Sequence, residues 1–281
     1  MLCQLSYAPP RVATVWLAGW LATVWLAGCG NLGSPTGAVN SPGTALTPHH
    51  PIRRQFGLSS RLRYPPRRTT VLQLYYYPDN ASFAPHVCLR EAGARYELVK
   101  VDRTLEAHKS PDYLKLNPSG RIPTLVDGDL VLFETAAICL YIADSHAESG
   151  LAPPSGTRER AVLHKWLFYM ATTIQPELLV YHYASRYAAD SAGEEAVKAG
   201  AEARLAEMFE VMDEAVVRRP FLMGESFTLL DPYLAMLCRW ARELRQAPGK
   251  LGHLGPYLEN IVARASVART IEREGIEPPF L

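Results

Sequence analysis

The run of residues 117–144, NPSGRIPTLVDGDLVLFETAAICLYIAD, constrains the fold more than any other stretch of this chain. Residues 124–126 and 130–133 are short β-rich runs. Asp127, Gly128 and Asp129 between them are a hairpin turn signal, because Asp and Gly tolerate the positive φ such turns need. A helix then opens abruptly at Glu134 and Thr135. Ile122-Pro123 precedes the first strand; a proline cannot donate to a strand ladder, so it belongs at a strand start or an edge. A cis bond at that proline turns the Ile122 N–H and C=O outward.

Upstream, residues 71–77 (VLQLYYY) read as a strand, 78–80 as a loop, and Ala81 or Ser82 to Ala92 as a helix ended by Gly93. Residues 96–101 form a second strand and 111–116 a short helix. The order is βαβ, α, ββα, which is thioredoxin-like, and its first βαβ unit requires a right-handed crossover and a parallel strand pair. Pro153, Pro154, Ser155 and Gly156 mark a linker, after which the strand signals stop. Residues 158 to about 187 read as one long amphipathic helix and 194–218 as another, with Ala201, Leu205, Met208 or Phe209, Met212 and Val216 at helical spacing. Thr228-Leu-Leu-Asp231 is a capping-box signal ahead of a helix from Asp231 to about Gln246. The expected organisation is an α/β domain over 70–147, an all-helical domain over 156–281, and an extension over 1–69.

That extension does not read as a packed domain. It holds eight prolines and Gly, Ser and Thr tracts, and residues 1–70 carry seven arginines with no lysine and no acidic residue. An apolar stretch over 12–28 contains ATVWLAG twice, and LAGC at 26–29 resembles a bacterial lipoprotein signal. The readings, in order of preference, are a start assigned too early, a lipoprotein or membrane signal, and an organelle transit segment. Without the seven arginines, 22 of the 29 basic residues face all 28 acidic ones, so the folded part is acidic, which argues against a nucleic-acid surface. The five cysteines lack any metal-ligand or C-x-x-C spacing, so no metal is expected. Cys139 and Cys238 lie in apolar helical patterns as core residues; Cys88, early in a helix, is read as core before reactive.

An N-P-x-G-x-I-P-x-L segment, an x-D-G-x-x-L hairpin and an acidic-hydroxyl pair opening the next helix together resemble the glutathione site of soluble glutathione transferases. The resemblance covers residues 71–281 and implies a thioredoxin-like domain packed on an all-helical one. It implies glutathione as co-substrate, a small hydrophobic electrophile as its acceptor, a cytoplasmic homodimer, and detoxification as the role. By the same resemblance, Ile122 and Pro123 hold the cysteinyl backbone as an added strand would, and Glu134 and Thr135 hold the γ-glutamyl end. A carboxylate at Glu134 suits the ligand ammonium, while Thr135 and the helix amides suit its carboxylate. His108-Lys109 before S-P-D-Y-L is similar to a theta-like pattern whose basic pair faces the glycyl carboxylate.

Residues 75–86, YYYPDNASFAPH, resemble the Y-Y-x-P-G-A-C-S-L-A-P-H stretch of bacterial beta-class transferases, with Ala81 where that class has its cysteine. A histidine of that class on the first long helix of the helical domain corresponds to Gln175. Cysteine chemistry is therefore not carried over. Ser82 is the first candidate to hydrogen-bond the glutathione thiolate, with an N-cap as its plain alternative. Asn80 and Tyr76 are the other candidates, and His86 is read as a packed histidine. Of Trp166, Tyr169, Tyr181, Tyr183 and Tyr187, some are expected to line the electrophile site. The competing functions are a non-catalytic binding module and a glutathione-dependent thiol-disulfide oxidoreductase.

Overall fold

The structure is a computed structural model that describes residues 71–281. The reading of residues 1–70 as an extension or signal lies outside the described residues. Strand β1 (Leu72–Tyr76) is the centre of a four-stranded sheet of order β2-β1-β3-β4. It runs parallel to β2 (Tyr96–Lys100) through helix α1 (Phe83–Glu91), and antiparallel to β3 (Thr124–Asp127). β4 (Leu130–Phe133) returns from β3 through the Asp127–Leu130 turn, where Gly128 takes the expected positive φ of 62°. Helix α2 (Pro111–Leu116) precedes β3 and α3 (Thr135–Ser145) follows β4. This is the thioredoxin-like arrangement.

Period-two burial of Leu72 and Leu74 turns one face of β1 into a core shared with α1 and α3, and that core continues into the helical half of the molecule. On the opposite face lies a small separate cluster of Val101, Tyr113 and Ile122. Its polar edge holds the loop before β3. Tyr113 Oη donates to Arg121 O at 2.7 Å, and Asn117 Nδ2 donates to the same oxygen at 2.8 Å.

The helical half comprises α4 (Arg158–Tyr169), α5 (Gln175–His182), α6 (Ser191–Ala215), α7 (Leu230–Trp240), α8 (Leu254–Ala263) and α9 (Ala265–Glu274). The single long helix expected over 158–187 is instead α4 and α5 joined by a wide π-helical turn over Met170–Ile174. Pro176, which has no N–H to give, stands at its end, and the widened turn absorbs the missing bond. α6 begins earlier than expected because Asp190 caps it, accepting from Gly193 N at 2.7 Å. Among the alternatives for its inner face, Phe209 is buried and Met208 is not fully so.

α7 ends at Trp240, short of the expected Gln246, and its residues 230–239 are all buried. Its start is tied by Asp231, whose carboxylate accepts from Thr228 N (2.6 Å), Leu222 N (2.8 Å) and Tyr257 Oη (2.6 Å). Burial pushes this carboxyl up to about 6, against the pull of those donors. α1 packs against α3, α7 and α9, so the sheet half and the helical half share one core.

Candidate active site

A cleft of about 410 Å³ opens between the sheet half and α5 and α7. One part of its wall is the loop after β1. There Asp79 takes a left-handed conformation (φ 54°), and Asn80 and Ala81 reach the cleft. Asn80 Oδ1 accepts from Ala81 N at 2.8 Å, which fixes the amide orientation and leaves its NH₂ as a donor.

Ser82, the first sequence candidate for the sulfur, is not among the residues that line the cleft. Its side chain is completely buried, and Oγ donates to Tyr77 O at 3.0 Å while accepting from Tyr77 N. A hydroxyl has one proton, so none is left for a ligand. The N-cap alternative fails as well, because Ser82 has helical φ and ψ and makes no cap bond. Tyr76 is also off the cleft: its ring meets His86 edge-on, with centroids 6.3 Å apart. Of the three candidates, Asn80 alone lines the cleft.

The Ile122-Pro123 bond is cis, and both residues line the cleft. Facing them is the start of α3. Glu134 adopts φ 74° and ψ 115°, a region a non-glycine residue occupies only when its surroundings demand it, and its exposed side chain lies at the cleft. Thr135 is buried, and its Oγ1 donates to Ala81 O at 3.2 Å, so its hydroxyl braces the loop and only the helix amides remain for an anion. Below, a 3₁₀ turn over Ala107–Lys109 brings His108 and Lys109 to the rim. Burial, then the charges of Lys109 and Arg103, holds the His108 imidazole below its usual range, and its Nδ1 is buried with no hydrogen-bond partner among the described residues. Lys109 crosses Gly120 so closely that a Cβ there would lie 2.8 Å from Nζ. That ammonium can swing aside, so it is the left-handed backbone of Gly120, φ 58°, that asks for glycine.

Sequence reasoning missed the floor beneath the loop. Arg239 of α7 forms a two-point pair with Asp79 at 2.6 and 2.8 Å, and its Nη1 donates to Phe280 O at 2.7 Å. Glu274, at the end of α9, accepts from Asp79 N at 3.2 Å and pairs with His86 Nδ1 at 2.8 Å, both side chains fully buried. Asp79 is therefore held by its amide and by its carboxylate. His86 is the packed histidine expected, with Glu274 as its partner.

The opposite wall comes from α5, the turn over Ala184–Arg186, and α7. Gln175 lies here, its Oε1 accepting from Tyr233 Oη. Of the five aromatics considered, Tyr183 alone lines the cleft, joined there by Trp240. Arg103 Nη2 donates to Tyr183 Oη at 3.1 Å, crossing from the sheet half to the helical half. Cys88, Cys139 and Cys238 are buried, so no thiol among the described residues reaches the cleft; burial, with the neighbouring Cys88, pushes the Cys139 thiol far up. Among the described residues there is no group of side chains able to hold a metal, and no helix is long and apolar enough to cross a membrane.

Family models for the glutathione S-transferase N-terminal domain and C-terminal domain match residues 70–144 and 160–265. Glutathione S-transferase 3 of Zea mays is 36% identical over 196 residues, covering 68% of this chain and 88% of the maize protein. A glutathione S-transferase of Xanthomonas campestris pv. campestris is 30% identical over 205 residues, covering 73% of this chain and 100% of its own. A solved glutathione transferase homologue from Sulfitobacter, with bound glutathione, superposes with a TM-score of 0.68 at 30% identity, covering 74% of this chain and 100% of that one. With both domain models matched over most of the described residues, the chain belongs to the glutathione S-transferase family.

Proposed function

We infer that this protein joins glutathione to small electrophiles, with the Asn80 amide as hydrogen-bond donor to the thiolate. A free thiol titrates near 8.5, and lowering it by about two units takes about 2.7 kcal/mol of preference for the charged form. One hydrogen bond to a charged group supplies about 1.5–3 kcal/mol, so a single donor suffices. The thiol proton leaves to solvent. Sulfur then bonds to the electrophilic carbon, and the leaving group departs with its bonding pair.

The observation that carries this reading is the commitment of Asn80 Oδ1 to the Ala81 N–H, which leaves the NH₂ to donate at the cleft. Around it, the Ile122 backbone pairs with the cysteinyl segment in strand fashion, Glu134 takes the γ-glutamyl ammonium, the α3 amides take its carboxylate, and His108 and Lys109 take the glycyl carboxylate. The domains run over 70–147 and 156–281, and the enzyme works in the cytoplasm in detoxification. It acts as a homodimer, a reading supported by the exposure of Val162 (42%) and Phe168 (56%) on α4. Light scattering on Phe168→Asp checks the dimer: a mass unchanged from a dimeric parent removes this face from the interface.

The test of the chemistry is the thiolate ultraviolet absorbance of bound glutathione, titrated against pH in the parent, Asn80→Ala and Ser82→Ala. A thiol pKa well below the free value that Asn80→Ala alone returns upward is the expected result. A return produced by Ser82→Ala alone would restore the serine.

A further inference from the structure

Granting the transferase reading above, the geometry points to an electrophile that carries its own negative charge: a flat, aromatic compound bearing a carboxylate. The cleft wall contributed by α5, its following turn and α7 contains Arg186 and Arg242 with Tyr183, Trp240 and Leu179, and no carboxylate. Two acidic residues line the whole cleft, Asp79 and Glu134. The first is neutralised by Arg239 beneath it, and the second stands on the opposite wall, where the glutathione ammonium is read to bind.

The arginines here meet little negative charge. The Arg186 guanidinium stacks on the Tyr183 ring at 4.0 Å, and Arg103 donates to the hydroxyl of that same ring. Neither arginine has a carboxylate within ion-pair distance among the described residues. Arg242 donates Nη1 to Arg239 O at 2.8 Å, which aims its head, and meets Glu243 only at 3.6 Å on a carboxylate that is 73% exposed. His182 Nε2 lies 2.9 Å from Trp240 O, which makes that nitrogen the donor and fastens the end of α5 to the backbone of α7.

Aromatic side chains beside two guanidinium groups suit a ring and an anionic substituent together. A purely hydrophobic electrophile would leave both guanidinium groups facing an apolar ligand. In the reaction the carboxylate is a spectator. Glutathione sulfur bonds to the ring carbon that carries a halide, the halide leaves with the bonding pair, and the thiol proton has already gone to solvent.

The experiment compares two conjugates, S-(4-carboxy-2-nitrophenyl)glutathione and its aryl methyl ester, by calorimetric binding to the full chain. The thiolate absorbance of bound glutathione is followed in parallel. One charge-assisted contact predicts that the acid binds about tenfold more tightly than the ester at low salt. The ratio should shrink as salt rises and approach one in the Arg186→Gln, Arg242→Gln double variant. Loss of the exposed Arg219 on another face should leave the ratio where it was. Equal affinities, tighter binding of the ester, or binding of neither conjugate overturns the anionic substrate. A lowered pKa for the thiol of bound glutathione in the parallel titration would show that the transferase reading stands without it. An absent thiolate would show that both fall.

Discussion

On the sheet side of the cleft, backbone forms part of the surface offered to a ligand: the cis-proline loop, the first amides of α3, and a left-handed turn at Asp79, beside the side chains of Asn80, His108, Lys109 and Glu134. On the helical side that surface is side-chain heads on a regular scaffold: Arg186, Arg242, Tyr183 and Trp240. A backbone surface depends on residues that control conformation, such as Gly120, Pro123 and Asn117, so it is written as a compact local motif. A surface of helix side chains depends on residues a turn or more apart, any of which can change without disturbing the helix. The first kind of wall suits an invariant co-substrate and the second a partner that differs from one enzyme to the next.

The two walls are not independent, and the change expected to have the largest effect exploits this. Arg239 belongs to the helical half but holds Asp79 in the sheet half. Removing one member of a buried charge pair costs about 3–5 kcal/mol; with Asp79 partly exposed, Arg239→Gln should fall at or below the low end, near 3 kcal/mol. Denaturant unfolding measures that loss, and the pKa of bound glutathione should rise with it. A stable variant with an unaltered thiol would separate the walls completely.

Next comes Asn80→Ala. Loss of one charged hydrogen bond of about 1.5–3 kcal/mol corresponds to a roughly 10- to 100-fold fall in turnover, with glutathione affinity nearly kept. Steady-state kinetics showing a rise in KM alone would make Asn80 a binding group only.

Gly120→Ala sharpens the contrast from the backbone side. A left-handed alanine costs about 1–2 kcal/mol, and the added methyl must push Lys109 aside. Binding of S-methylglutathione should weaken several-fold, while an equivalent alanine at Gly128, which has open space around it, should leave binding alone.

The smallest effect concerns His108, held below its usual pKa by burial and by neighbouring cations. A bound carboxylate favours its charged form, so binding takes up a proton and strengthens as pH falls toward that lowered pKa. The gain for S-methylglutathione, which has no thiol to ionise, should be at most about fivefold, as for a partly exposed ion pair. His108→Gln should flatten the profile.

The sheet wall was readable in advance because its instructions are local: NPSGRIP, the Asp-Gly turn and Glu134-Thr135 all lie in one run of residues. What escaped was which of Asn80 and Ser82 lines the cleft, two polar residues two apart in one loop. That choice turns on which of them Tyr77 captures, a matter of φ and ψ at Asp79 that an aspartate does not announce. The Asp79–Arg239 pair joins residues 160 positions apart, and no local pattern marks it. The break in the long helix did have a signal, Pro176, which amphipathic spacing on both sides concealed.

The Arg103–Tyr183 bond is a side-chain contact, exposed to solvent, that spans the cleft from one half of the molecule to the other. Such a contact breaks and re-forms by rotation about side-chain bonds, which for exposed residues takes roughly picoseconds to nanoseconds, so it links the two halves without locking them together.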